Sequence, residues 1–224
     1  MKKKNLGLRI FFALFAGIPL TGAIVFLPAW TLDFWEGWVF LAVLFVPMIF
    51  FVSYMVRFKR DLIERRLRLK EKRPAQKYVQ AMNLILVIAV TTIAGLDNRF
   101  NWSPVPDALV IFADAMILAG YLIFMFSMLH NEYASRIIDV EKGQKLVDTG
   151  PYSLVRHPMY IGGILMYIFI PLALGSYWAI IPMVFLPLSL MLRIFDEEKA
   201  LKKDLEGYEE YMKRVRYRLI PYVW

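Results

Sequence analysis

The run Gly150-Pro151-Tyr152-Ser153-Leu154-Val155-Arg156-His157-Pro158-Met159-Tyr160-Ile161-Gly162 sets a guanidinium and an imidazole side by side just before a proline. Pro158 fits the first turn of a helix and cannot continue an earlier one, so Arg156 and His157 stand at a helix N-terminus. Free backbone N–H groups and the helix dipole favour an anionic group there, such as a carboxylate. Tyr160 and Gly162 fall in the first turns, giving a ring that can stack and a gap where a ligand can approach the backbone. Further along, Arg193 and Glu197 are four residues apart and share a helix face, whereas Glu198 turns about 100° away. One carboxylate can then orient the arginine while the other faces a ligand.

Each feature has an ordinary account, an arginine anchor at a membrane edge and an interfacial ion pair of little energetic worth. Their convergence changes the balance. The apolar stretch after Pro158 turns at Gly175-Ser176 and returns Arg193, Glu197 and Glu198 to the side of Arg156 and His157. Ionisable groups gathered at the rim of an apolar bundle are a functional site by default.

The elements that must position them are membrane spans. The chain is 59% hydrophobic with a mean hydropathy of +0.50 over 224 residues, too apolar for a soluble domain of this size. Six apolar blocks are long enough, or nearly so, to cross a bilayer: Leu6 to Ala29, Gly37 to Val56, Val79 to Leu96, Ala108 to Leu129, Met159 to Leu174 and Tyr177 to Ile194. Five is the alternative count, since the last two form a tight hairpin and the first of them is short. The first block follows Lys2, Lys3 and Lys4 like a signal peptide, but its apolar core is too long and no small-x-small cleavage site precedes Asp33, so it reads as a retained helix.

Orientation follows from the basic residues. The stretch from Arg57 to Lys77 carries ten Lys and Arg against Asp61, Glu64 and Glu71, while the loops at Asp33 to Glu36 and Asp97 to Arg99 are short and not basic. The positive-inside rule then puts both termini, residues 57–77, residues 130–157 and the site in the cytosol. Residues 57–77, with Leu62, Ile63, Leu67 and Leu69 among basic residues, read as an amphipathic helix on the headgroups. The tail from Asp196 to Arg216 has the same pattern, interrupted at Gly207.

Composition also excludes classes. There is no cysteine, hence no thiolate nucleophile or disulfide, and His130 and His157 are too few for a zinc enzyme, so no metal is expected. The net charge of +8 belongs to the membrane-flanking segments, which argues for anionic headgroups as partners and against nucleic acid.

Several further motifs accompany the core: Gly143-Gln144-Lys145-Leu146-Val147, the Gly207-Tyr208-Glu209-Glu210-Tyr211 turn, and Arg218-Leu219-Ile220-Pro221. Together with Arg156 to Gly163 and the Arg193, Glu197, Glu198 set, they resemble the isoprenylcysteine carboxyl methyltransferase and phospholipid methyltransferase superfamily from Asn131 onward. Leu62 to Arg73 and Ala94 to Ser103 also look like its prokaryotic isoprenylcysteine methyltransferase-like branch. The resemblance implies an all-α polytopic bundle in a prokaryotic inner membrane, with a four-span region at 1–130 and a methyltransferase region at 131–224 acting as one unit. It implies an S-adenosylmethionine-dependent enzyme without a Rossmann domain, in keeping with the absence of a Gly-rich βαβ fingerprint. Carried over by that resemblance, the cofactor residues are Leu146, Val147, Gly150, Tyr152, His157, Tyr160 and Glu198.

The acceptor implied is a lipophilic or lipidated molecule entering from the bilayer. Arg193 is expected to orient an acceptor carboxylate with Glu197 behind it, and Asn131 follows as the polar residue near a span end. A carboxylate acceptor needs no general base, whereas an ammonium acceptor must first lose a proton. A phospholipid N-methyltransferase is one alternative. Another is an NADPH-dependent sterol or enone reductase, which resembles this chain around Arg-His-Pro but carries Asn after the proline and an acidic residue after the glycine, where this chain has Met159 and Gly163. A non-enzymatic scaffold of the same fold is a third.

Overall fold

In a computed structural model, residues 6–67, 71 and 73–224 are described, with most side chains before Phe15 left aside. Every regular element among them is helical: α1 Leu6–Ala29, α2 Trp35–Phe58, α3 Arg60–Arg66, α4 Pro74–Phe100, α5 Asp107–His130, α6 Pro158–Ile168, α7 Ile170–Ala173, α8 Leu186–Asp204 and α9 Tyr208–Arg214. The all-α expectation holds.

Four helical stretches are long and apolar enough to cross a membrane, Trp35–Phe58, Pro74–Phe100, Asp107–His130 and Trp178–Asp204. Phe15–Ala29 and Pro158–Ala173 are shorter apolar helices. The latter covers roughly 24 Å at 1.5 Å per residue, short of a hydrocarbon core of about 30 Å. Its break has a chemical cause: Pro171 has no N–H to continue the ladder, and α6 gives way to α7 at Phe169. The chain then reverses at Gly175, whose φ of +65° suits a residue without Cβ. It re-enters as a 3-10 segment, Trp178–Phe185, containing Pro182, before α8 begins.

One end of the bundle is aromatic. Trp30, Trp35, Trp38, Trp102, Tyr177 and Trp178 are exposed at helix ends there, where rings with an apolar body and a polar tip sit at a bilayer interface. Just inside lies Asp97, 1% exposed, which accepts the Ser103 backbone N–H at 2.8 Å and the hydroxyls of Ser103 and Ser176. That carboxylate ties the end of α4 to the hairpin turn. The other end is basic and carries the site. A label on an introduced cysteine tests the arrangement, since the native chain has none: Leu32→Cys and Lys142→Cys, both exposed, should react from opposite membrane faces. Reaction from one face would contradict it.

Residues 57–77 depart from the expected single surface helix. α2 runs to Phe58, Lys59 breaks it, and α3 lasts only to Arg66. Leu62 and Ile63 are buried in a cluster with Ile10, Phe51, Met55, Met128 and Ala134, so α3 packs into the protein instead of lying on headgroups. Arg68, Leu69, Lys70 and Lys72 lie outside the described residues. The tail behaves as its sequence suggests, with α8 and α9 separated at Gly207, φ +78°.

Gly162 has a different use from the ligand gap expected of it. A Cβ there would sit 2.5 Å from the Gly120 carbonyl oxygen and 2.6 Å from the Phe124 nitrogen, so the space is filled by α5. Gly120 meets α6 reciprocally, since a Cβ there would sit 2.7 Å from the Gly162 carbonyl oxygen. This is small-residue packing of the kind that lets membrane helices touch backbone to backbone. Gly162→Val should therefore lower the melting temperature in detergent through about 1–3 kcal/mol of overpacking; an unchanged melt would contradict the contact. Gly163 is the open one, lining a cavity with nothing within 4 Å of its would-be Cβ.

Candidate active site

α6 begins where its sequence says, at Pro158, and a carboxylate meets the side chains of the Arg-His pair just before it, not the backbone N–H groups of the helix. The carboxylate is the protein's own. Glu198 Oε1 accepts Arg156 Nε–H at 2.8 Å and lies 3.4 Å from His157 Nε2, while its Oε2 accepts Arg218 Nε–H at 3.0 Å. Glu198 and Arg156 are 4% and 6% exposed. Arg156 also donates to the carbonyls of Val215 and Arg216, and the backbone N–H groups of Arg156 and His157 donate to the carbonyls of Tyr217 and Arg218 at 2.9 Å. The C-terminal strip is thus laid along the Arg-His pair, with Glu198 as the common anion. Glu198 faces two guanidinium groups and an imidazole, not open space.

Glu197 does not pair directly with Arg193. Tyr160 stands between them, donating its hydroxyl to Glu197 Oε2 and accepting Arg193 Nε–H at 2.8 Å. The other arginine nitrogens donate to Gln76 Oε1 at 2.8 Å and to the Arg136 carbonyl at 2.9 Å. Gln76, fully buried, passes its Nε2–H on to Asp196 at 2.7 Å, and Asp196 is clamped by Arg73. Arg193 is therefore fixed by three elements before any ligand arrives. The Tyr160 ring lies at 28° to the His157 ring, centroids 5.4 Å apart.

These groups edge a cavity of about 510 Å³ between α4, α5, α6, α8 and the segment 131–147. Of the expected residues, Asn131, Leu146, Val147, Tyr152, His157, Tyr160, Arg193 and Glu197 line it, and Gly150 and Glu198 do not. Gly150 has φ +58°, and a Cβ would meet the His130 ring at 2.6 Å, so its role is to turn the chain tightly against α5. Asn131 accepts the Tyr133 backbone N–H at 3.0 Å. Burial pushes the Tyr152 phenol up to about 12, with the nearby Asn131 side chain opposing, so it stays a neutral hydroxyl.

The cavity has two ends. Toward the basic end its wall is Val140, Leu146, Val147, Leu201, Leu205, Tyr208 and Tyr211. The Tyr208 hydroxyl is buried there with no partner, and the backbone N–H groups of Leu146 and Val147 make no hydrogen bond among the described residues. A buried orphan hydroxyl in an aromatic and aliphatic slot is what a flat, hydrogen-bonding heterocycle would complete. Toward the membrane the wall is mainly apolar, with Val79, Leu84, Val87, Ile164, Leu186 and Leu190 around the polar side chains of Gln80, Asn83 and Ser189.

Sequence reasoning missed Gln76, Arg66, Arg136, Tyr208 and Arg218. Arg66, from α3, donates to the Ser135 carbonyl at 2.8 Å and lies over the Phe124 ring. Burial lowers its pKa to about 10, and Arg193 and Arg136 add to the fall, leaving it a cation at neutral pH. Gln76 had a readable signal, a carboxamide at the edge of an apolar block. Arg66 had none, because α3 reaches the cavity only through the chain reversal at Lys59.

Residues 108–206 match the phospholipid methyltransferase family. The match, a little under half of the chain, begins with α5 and ends after the double glutamate, and over it the resemblance read from the motifs is borne out. The matched segment holds α6, the hairpin and most of α8, hence most of the cavity lining. Two further similarities accompany it. The delta(14)-sterol reductase of Mus musculus is 34% identical over 92 residues, covering 39% of this chain and 22% of its own length. The chain thus spans about a fifth of that relative. A solved structure of a eukaryotic intramembrane Ras methyltransferase, isoprenylcysteine carboxyl methyltransferase, overlaps 98% of this chain and 88% of its own at 16% identity and a TM-score of 0.48, too loose a likeness to build on.

Proposed function

We propose that this chain is an integral membrane methyltransferase that uses S-adenosylmethionine to methylate a lipophilic acceptor, with both termini and the site in the cytosol of a prokaryotic cell. The observation that carries this reading is the two-ended cavity lined mostly by the segment that matches the methyltransferase family, with a hydrogen-bonding aromatic slot at one end and a mainly apolar wall at the other. Tyr208, Leu146 and Val147 would hold the adenine and ribose. Tyr160 and His157 offer ring faces near the sulfonium, and Glu197 a carboxylate. The cofactor supplies an electrophilic methyl group.

The chain's own work is then alignment and exclusion of water. Arg193, held by Tyr160, Gln76 and the Arg136 carbonyl, presents a fixed guanidinium where the two ends of the cavity meet. A guanidinium there orients an anionic acceptor oxygen and needs no general base. Glu198 acts at one remove: by pairing with the Arg156 and Arg218 guanidiniums beside the His157 ring it keeps the Arg-His turn and the C-terminal strip in place.

Calorimetry with S-adenosylhomocysteine tests the cofactor half. Wild type should bind, and Tyr208→Phe, which removes only an unpartnered hydroxyl, should weaken binding roughly tenfold without lowering stability. Equal affinity in the two proteins would take Tyr208 out of the site. The similarity to a sterol reductase gives a second reading, an NADPH-dependent reductase. Its test is the same titration with NADPH, and binding of NADPH in place of S-adenosylhomocysteine would favour it.

A further inference from the structure

The first half of α4 carries three carboxamides, Gln76, Gln80 and Asn83, at intervals of four and three residues, which places them on one face. Gln76 is spent on Arg193 and Asp196. The other two line the cavity, deeper toward the membrane. Asn83 accepts the Ser189 hydroxyl through Oδ1, and Ser189, 1% exposed, makes no other side-chain hydrogen bond among the described residues. That bond fixes the amide so that its Nδ2–H groups are left over. Neither they nor the Gln80 carboxamide make a hydrogen bond among the described residues.

The position of these donors matters. Asn83 is seven residues from Gln76, about 10 Å along α4, and Ser189 is about 6 Å along α8 from Arg193. The donors therefore sit one to two turns beyond the point where Arg193 meets an acceptor's head, beside Leu84, Val87, Leu186 and Leu190. A plain hydrocarbon chain passing this point would leave amide N–H groups unpaired in an apolar wall, which membrane helices avoid. A chain with a carbonyl at that depth would satisfy them.

We propose that Gln80, Asn83 and Ser189 form a hydrogen-bonding subsite that selects amphiphiles with a carbonyl oxygen near the start of the tail over those whose tail is hydrocarbon from the head group onward. This deepens the methyltransferase reading, on which it rests, by adding a specificity-determining site on the acceptor side. Ser189 is a positioning residue, setting which atoms of the Asn83 amide face the cavity.

The test uses the full chain in detergent and two matched probes, a short-chain diacylglycerol phosphate and its dialkyl ether analogue, which differ only in the two ester carbonyls. Wild type should bind the ester about threefold to tenfold more tightly, the size of one net hydrogen bond. In Asn83→Leu combined with Gln80→Leu the ratio should fall to about one, through weaker ester binding, while S-adenosylhomocysteine affinity is retained. No ester preference in wild type, a preference that survives the double substitution, or binding of neither probe would overturn the subsite. Failure of the methyltransferase reading shows separately, as absent S-adenosylhomocysteine binding alongside an intact ester preference.

Discussion

Arg193→Lys should still bind S-adenosylhomocysteine yet transfer methyl at a tenth of the wild-type rate or less, about 1.4 kcal/mol of lost alignment. The native guanidinium spends Nε on Tyr160 and its two outer nitrogens on Gln76 and the Arg136 carbonyl, three donors in one plane aimed at three elements. A lysine keeps the charge but offers one nitrogen on a flexible stem, so it cannot reproduce the fork. Tyr160 would then answer only to Glu197, and its ring, stacked near His157, would lose one of its two fixings. The measurement is single-turnover transfer at saturating cofactor with an acceptor lipid. Equal rates would return Arg193 to a structural role and leave Asn131 as the better candidate for orienting the acceptor.

Glu198→Gln should be the most damaging single change to stability, at about 3–5 kcal/mol. The substitution keeps the shape and removes the one carboxylate that, among the described residues, pairs with both Arg156 and Arg218, leaving the buried Arg156 guanidinium without its counter-ion. The C-terminal strip should loosen with it, since Arg156 bonds the Val215 and Arg216 carbonyls from the same side chain. Thermal unfolding in detergent checks this, with S-adenosylhomocysteine affinity measured on whatever remains folded. A protein that melts like wild type but has lost the ligand would show instead that Glu198 contacts the cofactor.

The helical fold was legible because a bilayer imposes a length on apolar runs. α1 and α5 fall almost at the expected bounds, since Ala29 and His130 close long apolar stretches that a single charged residue in each, Arg9 and Asp114, does not break. The first turn of α6 was equally legible, because Pro158 admits one placement. What the residues touch was harder to read. The Arg-His pair does bind an anion, yet nothing local says that the anion is Glu198, forty residues away. Gly162 and Gly163 are adjacent and chemically identical, and only the packing of α5 decides that the first is filled by Gly120 and the second faces the cavity. Spacing suggested a direct Arg193 and Glu197 pair, and the Tyr160 hydroxyl, arriving from another helix, intervenes. Leu62 and Ile63 read as a headgroup-facing stripe because a sequence does not show whether an apolar face meets lipid or protein.

The central claim is that the cavity brings a methyl donor and a lipid together. The direct measurement is transfer of labelled methyl from S-adenosylmethionine into a total lipid extract by the purified protein. The account predicts label in the lipid fraction, in proportion to protein, falling at least tenfold with Arg193→Lys. No label above a protein-free control, together with absent S-adenosylhomocysteine binding, would contradict it.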